Sequence, residues 1–148
     1  ILRSFEKNEP VIIRNPKAIR PWQHVLEPLL GYLLLLQKLW KEPKLYSDSW
    51  NFGPNNDDIK SVKWIIENMI ELWPGNSWKL DKKINAHESS VLSLDISKAL
   101  NNLGWTPSWD LQKALKRILK WHRDWLDGAD MHRISLSEIN EFTKESQI

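Results

Sequence analysis

The sequence contains no cysteine, and its five glycines are isolated from one another. Disulfides, thiolate chemistry and cysteine-based metal sites are therefore excluded, and the composition fits a reducing, cytoplasmic location. No phosphate-binding loop of the G-x-G-x-x-G or P-loop type can be assembled from separated glycines. There is no G-x-S-x-G motif, and neither Tyr32 nor Tyr46 is followed four residues later by a lysine. We therefore predict no catalytic and no cofactor-binding residues within this chain.

The chain also has no marked excess of one charge, since 21 lysines and arginines nearly balance 19 aspartates and glutamates and leave a formal net charge of +2. A field this weak does not recruit nucleic acid or an anionic membrane, so neither is expected as a partner. The most apolar run, Leu26 to Trp40, has 15 residues, fewer than the roughly 20 that a membrane-spanning helix needs. The four histidines share no i, i+4 spacing, and no metal site is predicted.

What the sequence does contain is the pattern of a mostly helical α/β unit with a few short strands. Its 148 residues suffice for one domain with a core, and we assign 1–148 to a single partial domain with 131–148 as a terminal helix and tail. Asp57 or Asp58, Asp110 and the capping box Ser135-x-x-Glu138 are expected to begin helices. The predicted helices are 26–41, 60–73, one ending near Gly104, 111–126 and a short terminal one; the predicted strands are 11–13, 49–54, 78–80 and 91–94, with a loop over 14–22.

The helix over Leu26 to Lys41 is apolar on nearly every side. A helix of this kind needs cover on most of its surface, and a neighbour outside this chain explains it most simply. The opening ILRSFEKNEP is typical of an amphipathic helix already under way. Both features favour a chain that is part of a longer protein.

Basic residues suited to ligand binding cluster before the run Pro21-Trp22-Gln23-His24. Arg14, Lys17 and Arg20 lie in this segment, and an arginine fork beside an aromatic ring suits a phosphate attached to a sugar or base. The alternative is a solvated loop that Trp22 anchors to the core.

Two further polar residues each have a possible ligand-binding role and a possible structural role. Asn51 has an amide suited to a ribose hydroxyl, or it pairs with backbone at a strand end. Glu88, beside His87, is suited to a vicinal diol, or it is a loop carboxylate. His122 lies on an apolar helix face and is interpreted as a buried structural histidine.

Several segments together resemble the C-terminal half of extended short-chain dehydrogenase/reductases that act on nucleotide sugars. The most specific is the run from Asn15 to Val25, which contains R-P-W-Q-H-V, and the tail L-G-W-x-P-x-W-x-L at 103–111 is shared more widely. The resemblance covers residues 1 to about 130. It implies a Rossmann half that binds NAD and carries the catalytic groups, followed by this substrate-binding lobe. It also implies a homo-oligomer when complete, with no NAD held by this chain alone.

The resemblance assigns roles residue by residue within this lobe. It implies that Arg20 contacts the pyrophosphate and that Val11 and Ile13 line the base pocket. Asn51 and Glu88 match positions that meet the ribose. Related epimerases carry a second phosphate-binding arginine shortly before that acid, whereas this sequence has Asn85 there; His87 or a nearby lysine is the candidate substitute.

A second hypothesis of a different class remains open from the residues themselves. The ten tryptophans are also typical of a stand-alone carbohydrate-binding or interaction module, in which exposed rings form a platform for sugars. A stand-alone module has no neighbour to cover the apolar helix over 26–41. This helix therefore counts against the second hypothesis.

Overall fold

A computed structural model of the chain describes residues 1–82 and 89–146. Within these ranges the chain forms helices joined by short strands and loops, and helix accounts for 55% of the residues. The helices are α1 (Leu2–Glu6), α2 (Leu26–Lys41), α3 (Pro43–Tyr46), α4 (Val62–Leu72), α5 (Leu111–Leu126) and α6 (Met131–Glu145), and the strands are β1 (Val11–Ile13), β2 (Ile19–Pro21), β3 (Ile59–Ser61) and β4 (Trp78–Leu80). The prediction of a mostly helical α/β unit with a few short strands is confirmed.

The strands form two small pairs rather than one sheet. β1 lies parallel to β4, with Val11 opposite Trp78, and β2 lies antiparallel to β3, with Ile19 opposite Ser61. Side chains of a strand alternate between its two faces, and β1 accordingly buries its first and third residues and exposes Ile12. The predicted strands at 11–13 and 78–80 are confirmed.

The first hydrophobic core lies where β1, α4 and α5 meet. α5 repeats apolar residues at helical spacing, and its inward face is buried while its lysines and arginines remain on the other side. Asp110 accepts a hydrogen bond from the backbone N–H of Lys113 at 2.7 Å, as expected of an N-cap. The buried members of this core are Phe5, Val11, Ile13, Ile65, Ile66, Met69, Leu111, Leu115 and Leu119.

The second core lies beneath the inner face of α2. Leu30, Leu34 and Leu35 of α2 pack against a buried group that includes Phe52 and Trp105. The close approach requires a glycine at position 31, since a Cβ there would lie 2.3 Å from Cδ1 of Phe52. A π-helical turn over Ala99–Leu103 supports this core and ends at Gly104, whose φ of 70° favours glycine.

The outer face of α2 is exposed along its length. Leu33 and Leu36 are 65% and 61% exposed, and Trp40 is 90% exposed. The expectation that this helix presents apolar surface to solvent is confirmed for the described residues. Large apolar patches of this kind mark interaction surfaces.

Two boundaries differ from the prediction because tertiary partners decide them. The segment 14–22 is not entirely loop, since β2 forms at its end; Pro21 is tolerated as the last residue of this short strand. The helix predicted over 60–73 begins only at Val62, because Ser61 caps it by accepting from the backbone N–H of Trp64. Asp58 instead accepts from the backbone N–H of Leu111 at the start of α5.

Two predicted strands do not form. Over residues 1–82 and 89–146 the segment 49–54 has no strand partner, and the side-chain amide of Gln23 donates to the Phe52 carbonyl at 2.9 Å. Among the residues that the structure describes, the segment 91–94 makes an isolated bridge, between Val91 and Ile19. Short apolar runs predict extended backbone, but a ladder also needs a neighbouring strand with matching groups.

The terminal helix starts earlier than its capping box suggests. α6 begins at Met131, where Asp130 accepts from the backbone N–H of Arg133. Ser135 therefore lies inside the helix, and its hydroxyl accepts from the indole N–H of Trp121 in α5 at 3.0 Å. The serine therefore serves as a hydrogen-bond acceptor between α6 and α5 rather than as the cap of α6.

Candidate functional site

An open cavity of about 340 Å³ lies beside β1 and β2. Three residues that the resemblance assigned to nucleotide binding share it, namely Val11, Ile13 and Arg20. The remaining lining includes Ile12, Arg14 and Trp22. The cavity thus combines apolar walls with two guanidinium groups, which is the composition expected for a base and a phosphate.

The alternation of β1 divides the predicted base-contacting residues between core and cavity. The side chains of Val11 and Ile13 are each only 6% exposed and belong to the first core. Ile12 is 52% exposed. Ile12 therefore supplies most of the apolar surface that this strand offers to a ligand. The sequence-based assignment missed Ile12, although the alternation of side chains along a strand could have identified it.

Arg20 is oriented by backbone carbonyls at the rim of the cavity. It lies in β2 opposite Lys60. Its Nη1 donates to the carbonyl oxygens of Ile19 at 2.8 Å and Ser89 at 3.1 Å. Such bonds restrict the rotamer of the guanidinium, whose planar fork of five N–H donors matches a phosphate.

Trp22 holds the same loop against β3. Its indole N–H donates to the carbonyl of Lys60 at 3.0 Å, and the ring is half-buried while it lines the cavity. The anchoring role and the ligand-facing role of this tryptophan, which the sequence presented as alternatives, are therefore compatible.

Asn51 lies away from this cavity in the arrangement described. It is exposed, and its Nδ2 donates to the carbonyl of Asp95 at 3.2 Å. This is the backbone pairing that the sequence offered as the structural interpretation. The predictions for His87 and Glu88 fall outside the residues that the structure describes.

A second, mainly apolar cavity of about 430 Å³ lies between the start of α2 and the helices α5 and α6. It contains His24 and Glu138, with Nε2 of the imidazole 4.0 Å from Oε1 of the carboxyl group. Burial, with the positive charge of Arg117, lowers the pKa of His24 to about 4. Burial raises the pKa of Glu138. An uncharged imidazole suits its structural task, because Nδ1 accepts a hydrogen bond from the backbone N–H of Leu26.

Glu27 joins α2 to the loop before α5. Its side chain is completely buried, and its two carboxyl oxygens accept from the backbone N–H groups of Ser108 at 3.0 Å and Trp109 at 2.7 Å. Burial raises the pKa of this carboxyl group, although the two N–H groups act in the opposite direction. The arrangement is structural, since both oxygens are engaged by backbone.

The tryptophans serve mainly as packing and hydrogen-bonding groups. Within 1–82 and 89–146, the indole N–H groups of Trp22, Trp50, Trp105, Trp109 and Trp121 donate to other groups of the chain. Trp105 and Trp109 are buried, whereas Trp40 and Trp125 are exposed and belong to different helices. The hypothesis of a stand-alone carbohydrate-binding module stays a prediction.

Neither a metal centre nor a membrane-spanning helix is found among the described residues. Across 1–82 and 89–146, no group of three or more histidine or carboxylate side chains is arranged to hold a metal ion. No helix in the same ranges combines the length and apolar character needed to cross a membrane.

The helical fold, with its few short strands, is consistent with a mostly helical α/β fragment of an extended short-chain dehydrogenase/reductase. No family model matches the chain. Over 143 residues, 96% of its length, the chain is 51% identical to the CDP-glucose 4,6-dehydratase of Salmonella typhimurium. The match lies in the C-terminal part of that enzyme, and the chain spans about 40% of the length of this curated relative. The resemblance to nucleotide-sugar dehydratases stated from the sequence is confirmed.

Proposed function

We propose that this chain is the nucleotide-sugar-binding portion of an NAD-dependent CDP-glucose 4,6-dehydratase, which converts CDP-glucose to CDP-4-keto-6-deoxyglucose. The observation that carries the proposal is the cavity shared by Val11, Ile13 and Arg20. The sequence resemblance assigns all three residues to one nucleotide-sugar ligand, and the fold brings them to one cavity. The identity to a CDP-glucose 4,6-dehydratase supports the choice of ligand.

Within this cavity the chain's own residues bind and orient the substrate. Arg20 contacts the diphosphate through a charge-assisted hydrogen bond, and the apolar residues of β1 provide the wall for the base. Asn51 does not line the cavity in this arrangement; it and Glu88 are still proposed as ribose contacts, and His87 as a further substrate-binding residue. The sugar is thereby presented to groups that lie outside this chain.

The described residues do not fit NAD. The glycines stand far apart in sequence, and those at 31 and 53 are packed against side chains of the second core and its surroundings. No cradle for a dinucleotide phosphate results. We assign NAD binding and the redox chemistry to the Rossmann half of the complete enzyme.

The outer face of α2 is the surface proposed to meet that half. Its exposed residues Leu29, Leu33, Leu36 and Trp40 follow each other at helical spacing. Most of the length of the Salmonella typhimurium relative lies outside the matched region, so a large partner segment is available to cover this face. A homo-oligomeric state for the complete enzyme and a cytoplasmic location remain predictions.

The proposal is tested by calorimetric titration of the complete enzyme with CDP-glucose. Arg20→Ala should weaken binding about 10- to 150-fold, since a hydrogen bond to a charged group contributes about 1.5–3 kcal/mol. Lys17→Ala, an exposed change in the same loop, serves as the matched control. An unchanged dissociation constant for Arg20→Ala contradicts the assignment. Titrations with CDP, UDP, GDP and dTDP then test the base, whose identity rests on sequence similarity alone.

A further inference from the structure

Arg14 occupies a position in the cavity that the sequence-based assignment left without a role. It follows the last residue of β1 and lines the same space of about 340 Å³ as Arg20. Lys17 belongs to the same basic segment, but it is exposed and is not among the cavity-lining residues. The fold therefore brings two of the three basic side chains of this loop to one cavity.

Arg14 lies at a bend directly after β1 and lines the cavity. The amide of Asp81 donates to the carbonyl of Ile13 at 2.8 Å, which extends the pairing of β1 with β4 to the end of the strand. Ile13 is buried, whereas Ile12 and Arg14 on either side of it are exposed and both line the cavity. The cavity therefore has an exposed apolar side chain and an exposed cation next to each other.

The charge of the ligand calls for a second cation. The diphosphate of a nucleotide sugar carries two negative charges, and a single guanidinium balances only one. Arg14 and Arg20 lie on either side of the turn between β1 and β2, and both line the cavity. A guanidinium group has a planar fork of donors that matches a phosphate.

We propose that Arg14 is the second diphosphate-binding residue, in place of the arginine that related epimerases carry before the ribose-binding acid. This assignment rests on the proposed function, because it takes the cavity to be the nucleotide site. Arg14 and Arg20 then share the diphosphate, while Ile12 contacts the base. Neither His87 nor a lysine of the segment near Asn85 is needed for this charge.

The test is calorimetric titration of the complete enzyme with CDP and, separately, with CMP. Arg14→Ala should weaken CDP binding about tenfold to a hundredfold and weaken CMP binding less, so that the preference for CDP over CMP shrinks. Arg14→Lys keeps the charge but loses the fork, and its affinity should fall between those of the wild type and Arg14→Ala. Lys17→Ala is the control for a nearby charge, and a melting curve of each variant verifies folding.

The outcomes separate this inference from the proposed function. If Arg20→Ala weakens CDP binding while Arg14→Ala behaves like Lys17→Ala, the role of Arg14 is overturned and the proposed function stands. If Arg14→Ala weakens CDP and CMP equally, it does not act on the second phosphate, and the inference also fails. If the wild-type enzyme binds no nucleotide, both are wrong.

Discussion

α2 and α5 are both 16 residues long, yet they relate to the rest of the molecule in opposite ways. α5 buries one apolar face in the first core and presents lysines and arginines on the other. α2 buries one apolar face in the second core and presents more leucines, with Trp40, to solvent. α5 has one apolar face, and the rest of this chain covers it. α2 has apolar residues on both faces, which is the pattern expected of a helix that is covered on both sides.

The two helix starts show the same contrast. α5 begins with a local cap, since Asp110 accepts from a backbone N–H three residues later. α2 begins without such a cap and relies on His24 and on the buried carboxylate of Glu27, which reaches the distant residues Ser108 and Trp109. The position of α2 is therefore set by tertiary contacts on its inner side, and its outer side is left as a surface.

The largest expected effect concerns equivalent leucine truncations in the two helices. Leu119 of α5 is 2% exposed, and Leu33 of α2 is 65% exposed. In the 148-residue chain, Leu119→Ala should lower the free energy of unfolding by about 2–5 kcal/mol. Leu33→Ala should change it by no more than about 0.5 kcal/mol. Urea denaturation followed by tryptophan fluorescence measures both.

The same pair of variants in the complete enzyme sharpens the contrast. If the outer face of α2 is covered there, Leu33→Ala should become costly while the effect of Leu119→Ala stays similar. A large cost for Leu33→Ala already in the 148-residue chain would break the comparison between the two helices.

A somewhat smaller effect depends on pH and concerns the start of α2. The pKa of His24 is lowered by burial from 6.5 to about 4, so the neutral imidazole stabilises the fold above pH 6.5. As the pH falls from 6.5 towards 4, this contribution is lost, at most about 3 kcal/mol. The pKa values of Glu138 and Glu27 are raised, so protonation of these two carboxyl groups increases the free energy of unfolding as the pH falls and opposes the effect of His24.

A variant isolates the contribution of the imidazole from those of the two carboxyl groups. His24→Asn keeps an acceptor for the backbone N–H of Leu26 but does not titrate. Its unfolding free energy, measured from pH 7 to 4, should therefore decline less steeply than that of the wild type. His132→Asn at an exposed position is the control, and equal slopes for wild type and His24→Asn would show that His24 does not control this dependence.

The sequence predicted the parts of the fold that depend on long local patterns. α2, α5 and the turn ending at Gly104 were predicted because periodicity and caps extend over many residues. β2 was missed, and 49–54 was wrongly predicted as a strand, because three- to six-residue runs acquire their structure from a partner. In that segment the amide of Gln23 supplies the partner for Phe52.

The candidate site was predictable to a similar degree. Arg20 was assigned by resemblance, and the cavity brings it together with Val11 and Ile13. The sequence grouped Arg14, Lys17 and Arg20 in one basic segment, but which of the three line one cavity depends on how β1 and β2 turn about it. The roles of Asn51, His87 and Glu88 stay predictions.

The most direct test of the account is hydroxyl-radical footprinting of Trp40 in the 148-residue chain and in the complete enzyme. Trp40 is 90% exposed in this chain, whereas Trp105 is 1% exposed and serves as the internal reference. We predict strong oxidation of Trp40 in the 148-residue chain and strong protection in the complete enzyme, with Trp105 protected in both. Equal oxidation of Trp40 in the two proteins would contradict the claim that α2 is covered by the NAD-binding half.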